Sequence, residues 1–145
     1  MLFNLEPATL VARIIVLAVA FTIHEFAHAW SATQFGDDTP RLNGRLTLNP
    51  LAHLDPMGSI VLLFSGFGWA KPVPFNPVNL RKYPRDQVLL AMAGPMANFI
   101  LADSSFNLYL IAGMIFNALY PENRAYLSLE MFTPMALAVL FILFS

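Results

Sequence analysis

Apolar residues fill positions 8 to 35 with only Thr9, Arg13, Thr22, His24, Glu25, His28, Ser31, Thr33 and Gln34 interrupting them. Pro7 suits the first turn of a helix and Gly36 its C-terminal stop. At about 1.5 Å per residue such a helix reaches roughly 42 Å, more than the roughly 30 Å of a bilayer's hydrocarbon core. The pattern therefore predicts a transmembrane helix. Ala27-His28-Ala29 has the small-x-small look of a signal-peptide cleavage site, but the first twelve residues carry Glu6 and no Lys or Arg, where a signal peptide needs positive charge. A polar loop follows from Gly36 to Met57. The apolar piece from Ser59 to Phe67 makes only roughly 14 Å of helix, too short to cross, so it is expected to dip into the membrane and return, with Gly66 and Gly68 breaking it. A second long apolar tract runs from Val88 to Tyr120, its polarity interrupted at Asp103-Ser104-Ser105, and another begins at Leu127 and runs to Ser145.

Composition and charge sharpen this picture. Of 145 residues, 57% are hydrophobic and 12% charged, with a mean hydropathy of +0.60, a balance that soluble domains rarely show. Zero cysteines exclude disulfides, thiolate metal sites and Cys nucleophiles, and a net charge of -1 without a basic run gives no footprint for nucleic acid. Six of the eight basic residues (Arg41, Arg45, Lys71, Arg81, Lys82 and Arg85) lie between the long tracts. A re-entrant short piece keeps all six on one side, which the positive-inside tendency makes cytoplasmic, with the amino terminus outside. Trp30, Trp69 and Tyr83 fall near that side, and Tyr120 and Tyr126 near the other, as interfacial anchors do. The fold expected is an all-α, multi-pass integral membrane protein of the cell membrane. It has three to four transmembrane helices, a short re-entrant segment and a small extended or β loop, in one membrane-embedded domain over 1–145.

Within the first helix stands His24-Glu25-Phe26-Ala27-His28. Residues four apart lie on one helical face about 6 Å apart along the axis, so both imidazoles can reach one zinc ion, and the adjacent Glu25 can reach a water on it. Zinc lowers the pKa of that water to about 7, and Glu25 can take its proton and pass it to a leaving amine. This is the chemistry of peptide hydrolysis. Ionisable groups inside a membrane helix are costly unless partnered, and a bound cation would offset that cost. With Trp30 at the interface, His28 and His24 sit roughly 3 and 9 Å below the cytoplasmic boundary.

Four strings carry a family resemblance: His24-Glu25-Phe26-Ala27-His28-Ala29-Trp30; Gly44-Arg45-Leu46-Thr47-Leu48-Asn49-Pro50-Leu51-Ala52-His53-Leu54-Asp55-Pro56; Gly68-Trp69-Ala70-Lys71-Pro72-Val73-Pro74; and Ala93-Gly94-Pro95-Met96-Ala97-Asn98. In this order, over roughly residues 21 to 101, the chain resembles the site-2 proteases, intramembrane zinc metalloproteases, in their short microbial form. The resemblance implies zinc on His24 and His28, Glu25 as catalytic base, and cleavage of membrane-embedded segments of other proteins. It also implies a third zinc ligand, an Asp in a Leu-Asp-Gly string on a later helix, and no such string occurs here. Asp103 and Glu130 are expected more than about 10 Å too deep, while His53 and Asp55, in the same-side loop, could reach the metal but read more simply as surface-loop residues. The expectation is a protease core without its C-terminal Asp-bearing helix.

Gly94 and Asn98 stand four apart on the second long helix at a depth overlapping the histidines. A small residue there permits close helix approach, and Asn98 can hydrogen-bond a substrate carbonyl or a ligand, beside a plain packing role. Lys71-Pro72-Val73-Pro74-Phe75 reads as extended, with Pro72 and Pro74 removing donors from one edge and Val73 and Phe75 offering theirs to an incoming substrate strand or to a rigid loop. The partners expected are transmembrane proteins or peptides as substrates and the lipid bilayer, with Asn98, Val73 and Phe75 as substrate-binding residues. Two rivals remain at this point: a non-catalytic chain of the same fold that binds metal or helices, and an ion transporter using the histidine pair.

Overall fold

The structure, a computed structural model, describes residues 7–65 and 68–120. Two long helices dominate. Helix α1 spans Pro7–Gln34 and α4 spans Arg85–Leu119, with a short α2 at Thr39–Leu42 and a ten-residue α3 at Pro56–Ser65 between them. Within these, Ile14–Gln34 and Arg85–Leu119 are long and apolar enough to cross a membrane. No strand forms among the described residues. The expected extended loop contributes a single antiparallel bridge, between Leu54 and Ala70. The expected helix from Leu127, together with Tyr126, Glu130 and Gly66, lies outside the described residues.

Local signals place the helix ends. At the end of α1 the Asp37 N–H reaches the Ala32 carbonyl at 2.9 Å and the Gly36 N–H that of Thr33 at 3.2 Å. These are the two bonds of a Schellman stop. The stop requires a left-handed residue, and Gly36 supplies φ +106°. Asp55 starts α3: its side chain accepts the Gly58 N–H at 2.7 Å, with Pro56 in the first turn. Asn49 and Asn76 do the same for the 3-10 turns at Pro50–Ala52 and Pro77–Asn79. The polar interruption at Asp103-Ser104-Ser105 does not break α4. Ser105 donates to the Leu101 carbonyl at 2.7 Å and Asn107 to that of Asp103 at 2.8 Å, so these polar groups are satisfied within the helix.

At about 1.5 Å per residue α3 is roughly 15 Å long. The chain then doubles back: a Cβ on Gly58 would collide with the Trp69 carbonyl, and one on Gly68 would meet Leu62. The Leu54–Ala70 bridge and the bond from the Lys71 N–H to the His53 carbonyl, 2.8 Å, close the excursion beside its starting point. Phe21 and Ala20 of α1 pack beneath it with Leu17, Leu54, Leu62 and Ala70. A second cluster joins Ala32 to Leu80 and Leu90, with Phe35 and Phe75 against it.

Beside these clusters, polar groups are buried in a proportion unusual for a water-soluble domain. Thr22, Glu25, Ser31, Asp37, Arg45, His53, Asp86 and Asn98 are buried, whereas Ile15, Val19, Phe99, Ile100 and Ile115 face outward. A surface so apolar over a polar interior suits lipid as solvent. The buried hydroxyls are satisfied within α1, Thr22 by the Ala18 carbonyl at 2.6 Å and Ser31 by that of Ala27 at 2.7 Å. Ala29 and Ala32, both fully enclosed, are the small residues that let a neighbour approach α1 closely.

Candidate functional site

His24, Glu25 and His28 lie on the buried side of α1, where α4 crosses it. The two imidazoles meet edge to face with centroids 4.7 Å apart. Opposite them, α4 carries Gly94. A methyl built on Gly94 would lie 2.5 Å from His24 Nε2 and press as hard on His28 Nε2. Both Nε2 atoms therefore point at one small space over a residue that has no side chain to fill it.

The other ring nitrogens are held from α4. His28 Nδ1 sits 2.8 Å from the Leu90 carbonyl oxygen. A carbonyl only accepts, so His28 carries its proton on Nδ1 and presents a bare lone pair at Nε2. His24 Nδ1 lies 3.1 Å from the side-chain nitrogen of Asn98, which is fully enclosed. For His28, this anchoring of one nitrogen to free the other is how proteins orient histidine ligands. Pro95, one residue past Gly94, withdraws the N–H that would bond the Ala91 carbonyl.

A cleft of about 430 Å³ opens onto this group, lined by His24, Glu25 and His28, by Pro72, Val73 and Phe75 of the extended segment, and by Gln87, Leu90, Ala91 and Pro95 of α4. The Val73 backbone N–H faces the Glu25 carboxylate. The extended segment is thus a strap across the mouth of the site. It is fixed by Lys71 to the His53 carbonyl at one end and by the Asn76 N–H to Asp37, 2.6 Å, at the other.

Asp37 also accepts from the Thr39 N–H at 3.1 Å, the Thr39 hydroxyl at 2.5 Å and the Asn79 amide at 2.8 Å. Burial alone would raise its pKa, but these hydrogen bonds outweigh burial and hold it below the usual 3.8. Arg45, itself buried, donates to the Ala52 carbonyl and so braces the loop beside the strap.

The sequence-derived residues distribute as follows. His24, Glu25, His28, Val73 and Phe75 share the cleft, and Asn98 stands behind His24, outside the cleft lining. His53 is not at the surface. It is fully buried, its Nε2 2.8 Å from the Thr47 carbonyl, because it ties the loop on which Arg45 sits. Asp55 caps α3. Among the described residues, no cluster of three His, Cys, Asp or Glu suited to a metal is present. Sequence reasoning missed Gln87, the Leu90 carbonyl and Asp37. For Leu90 no residue-type signal exists, since the working group is backbone. For Asp37 the signal was its place directly after a helix-stopping Gly.

The two-histidine donor set, with Nε2 atoms converging over a side-chain-free position, fits a divalent metal of zinc's preferences. The protein named "Putative zinc metalloprotease YwhC" from Bacillus subtilis is 51% identical over 98 residues, which are 68% of this chain and 45% of that protein. Those named "Putative zinc metalloprotease Rip2" from Mycolicibacterium smegmatis and Mycobacterium tuberculosis are each 35% identical over 58% of this chain and 34% of their own length. The chain thus spans less than half the length of these relatives. No family profile matches it, and no solved structure does.

Proposed function

We propose that this chain, which belongs to the site-2 protease family of zinc metalloproteases, hydrolyses peptide bonds within or near transmembrane segments of other proteins. The observation that carries this reading is the convergence of His24 and His28 Nε2 over Gly94 in a cleft that Glu25 also lines. His24 and His28 would hold Zn2+. When bound, the metal supplies Lewis acidity, which brings a water within reach of deprotonation near neutral pH. Catalytic zinc takes three protein ligands, so a third donor is expected from outside residues 7–65 and 68–120.

Glu25 is the general base. Its carboxylate takes a proton from the attacking water, and the same proton goes to the departing amide nitrogen as the C–N bond breaks. The Val73 N–H orients that carboxylate. Val73 and Phe75, on the strap, face the segment being cut, whose helix must open locally before its carbonyl can be reached; a strap of extended backbone is the form that can pair with an opened strand. The proposed setting is a multi-pass protein with α3 as a re-entrant helix and the cleft near the cytoplasmic face, a reading supported by the clustering of Arg41, Arg45, Lys71, Arg81, Lys82 and Arg85 between the two long helices.

Glu25→Gln in the full-length protein tests this. Cleavage of a membrane-tethered substrate should fall by about 10²–10⁴-fold, the usual worth of a general base, with bound zinc unchanged. Undiminished turnover overturns the assignment.

A further inference from the structure

The two histidines are held differently, and the difference bears on how the metal is accepted. His28 Nδ1 faces a carbonyl oxygen, Leu90, at 2.8 Å. His24 Nδ1 faces an amide whose nitrogen lies 3.1 Å away, while the amide oxygen of Asn98, buried with the rest of the residue, has no partner at all. An amide nitrogen can only donate. In that orientation His24 accepts at Nδ1, carries its proton on Nε2, and offers no lone pair to the space over Gly94. A half-turn of the amide exchanges two atoms of nearly equal size. It puts the oxygen on a His24 Nδ1 proton and frees the Nε2 lone pair, matching His28, and it ends the isolation of the oxygen.

We propose that Asn98 is a positioning residue for metal binding: through its side-chain oxygen it fixes the His24 tautomer that ligates through Nε2. This rests on the reading that His24 and His28 hold a divalent metal. Asn98 reaches the chemistry only through His24. The half-turned amide also places its NH₂ where the oxygen is now isolated.

The test uses full-length protein purified in detergent, with Zn2+ affinity measured by chelator competition and ligand geometry by the visible spectrum of the Co2+ form. Asn98→Asp keeps an acceptor and cannot offer an amide donor. Asn98→Leu keeps the approximate volume and offers neither. Asn98→Asp should bind Zn2+ at least as tightly as the wild type. Asn98→Leu should bind it about 10–100-fold more weakly, the usual effect of losing a partner of a ligating histidine, with a changed Co2+ spectrum. Weakening of Asn98→Asp by as much as 10-fold overturns the proposal whether or not Asn98→Leu folds, because it would mean the amide acts as donor or as packing. Wild-type affinity in a folded Asn98→Leu does the same. His24→Ala separates the underlying reading: if it binds Zn2+ as tightly as the wild type, the histidine pair is not the site, and the role of Asn98 falls with it.

Discussion

Replacing Gly94 by Ala places one methyl group where both ligating nitrogens point. On helix propensity alone the change favours the fold by about 1 kcal/mol, since Ala is the better residue inside a helix. Against this, the new carbon would lie 2.5 Å from His24 Nε2 and 2.6 Å from His24 Cδ2, an overpacking of the kind that costs about 1–3 kcal/mol. The imidazoles can yield only by leaving Asn98 and Leu90, bonds worth about 0.5–1.5 kcal/mol each. The net effect on folding is thus a loss of roughly 1–5 kcal/mol, which thermal unfolding reads separately from metal affinity. Metal binding should not survive: the methyl occupies the space that the two lone pairs share. Affinity should fall by more than about 100-fold, beyond the effect of losing one second-layer partner. Zinc content by mass spectrometry, chelator competition and thermal unfolding of the full-length protein read both quantities. A Gly94→Ala protein with wild-type zinc affinity would mean that the Nε2 atoms do not converge over α4.

Other residues yield separable outcomes. Val73→Pro removes the N–H that holds Glu25 yet suits an extended strap already flanked by Pro72 and Pro74; cleavage should drop roughly 10-fold or more, the worth of a bond to a charged group, with zinc binding unchanged. Asp37→Ala leaves the Asn76 N–H and the Asn79 amide without their acceptor, at a cost of about 2–4 kcal/mol, seen as faster amide exchange at Asn76 and a lower Tm. Because hydrogen bonding depresses the Asp37 pKa below its unfolded value of 3.8, its contribution is fully present above 3.8 and lost as pH falls through the lower folded value. The Tm gap between wild type and Asp37→Asn should therefore be constant above that pH and shrink below it, and a gap that persisted into strong acid would count against the strap anchor.

Much of the site is visible in residue spacing. Histidines four apart, a Pro-led start and a Gly stop all concern one helix, and a single helix has a period that the sequence displays. The contacts that complete the site are long-range. His24 meets Asn98 and His28 meets Leu90 across 74 and 62 positions, and the second uses a carbonyl that every residue possesses. The strap likewise faces Glu25 with a backbone N–H. His53 shows the converse error: its loop position suggested exposure, but the loop folds over it to bury the ring against Thr47. Asp103-Ser104-Ser105 suggested an interruption, yet α4 runs through it, with Ser105 donating to the Leu101 carbonyl and Asn107 to Asp103 one turn away.

The most direct test of the metal centre is zinc K-edge X-ray absorption on the full-length protein, comparing wild type with His28→Ala. Two imidazole nitrogens in the zinc coordination shell of the wild type, reduced to one or to an empty site in the variant, are the expected result. A wild-type spectrum without imidazole scattering, or one that His28→Ala leaves unaltered, would contradict it.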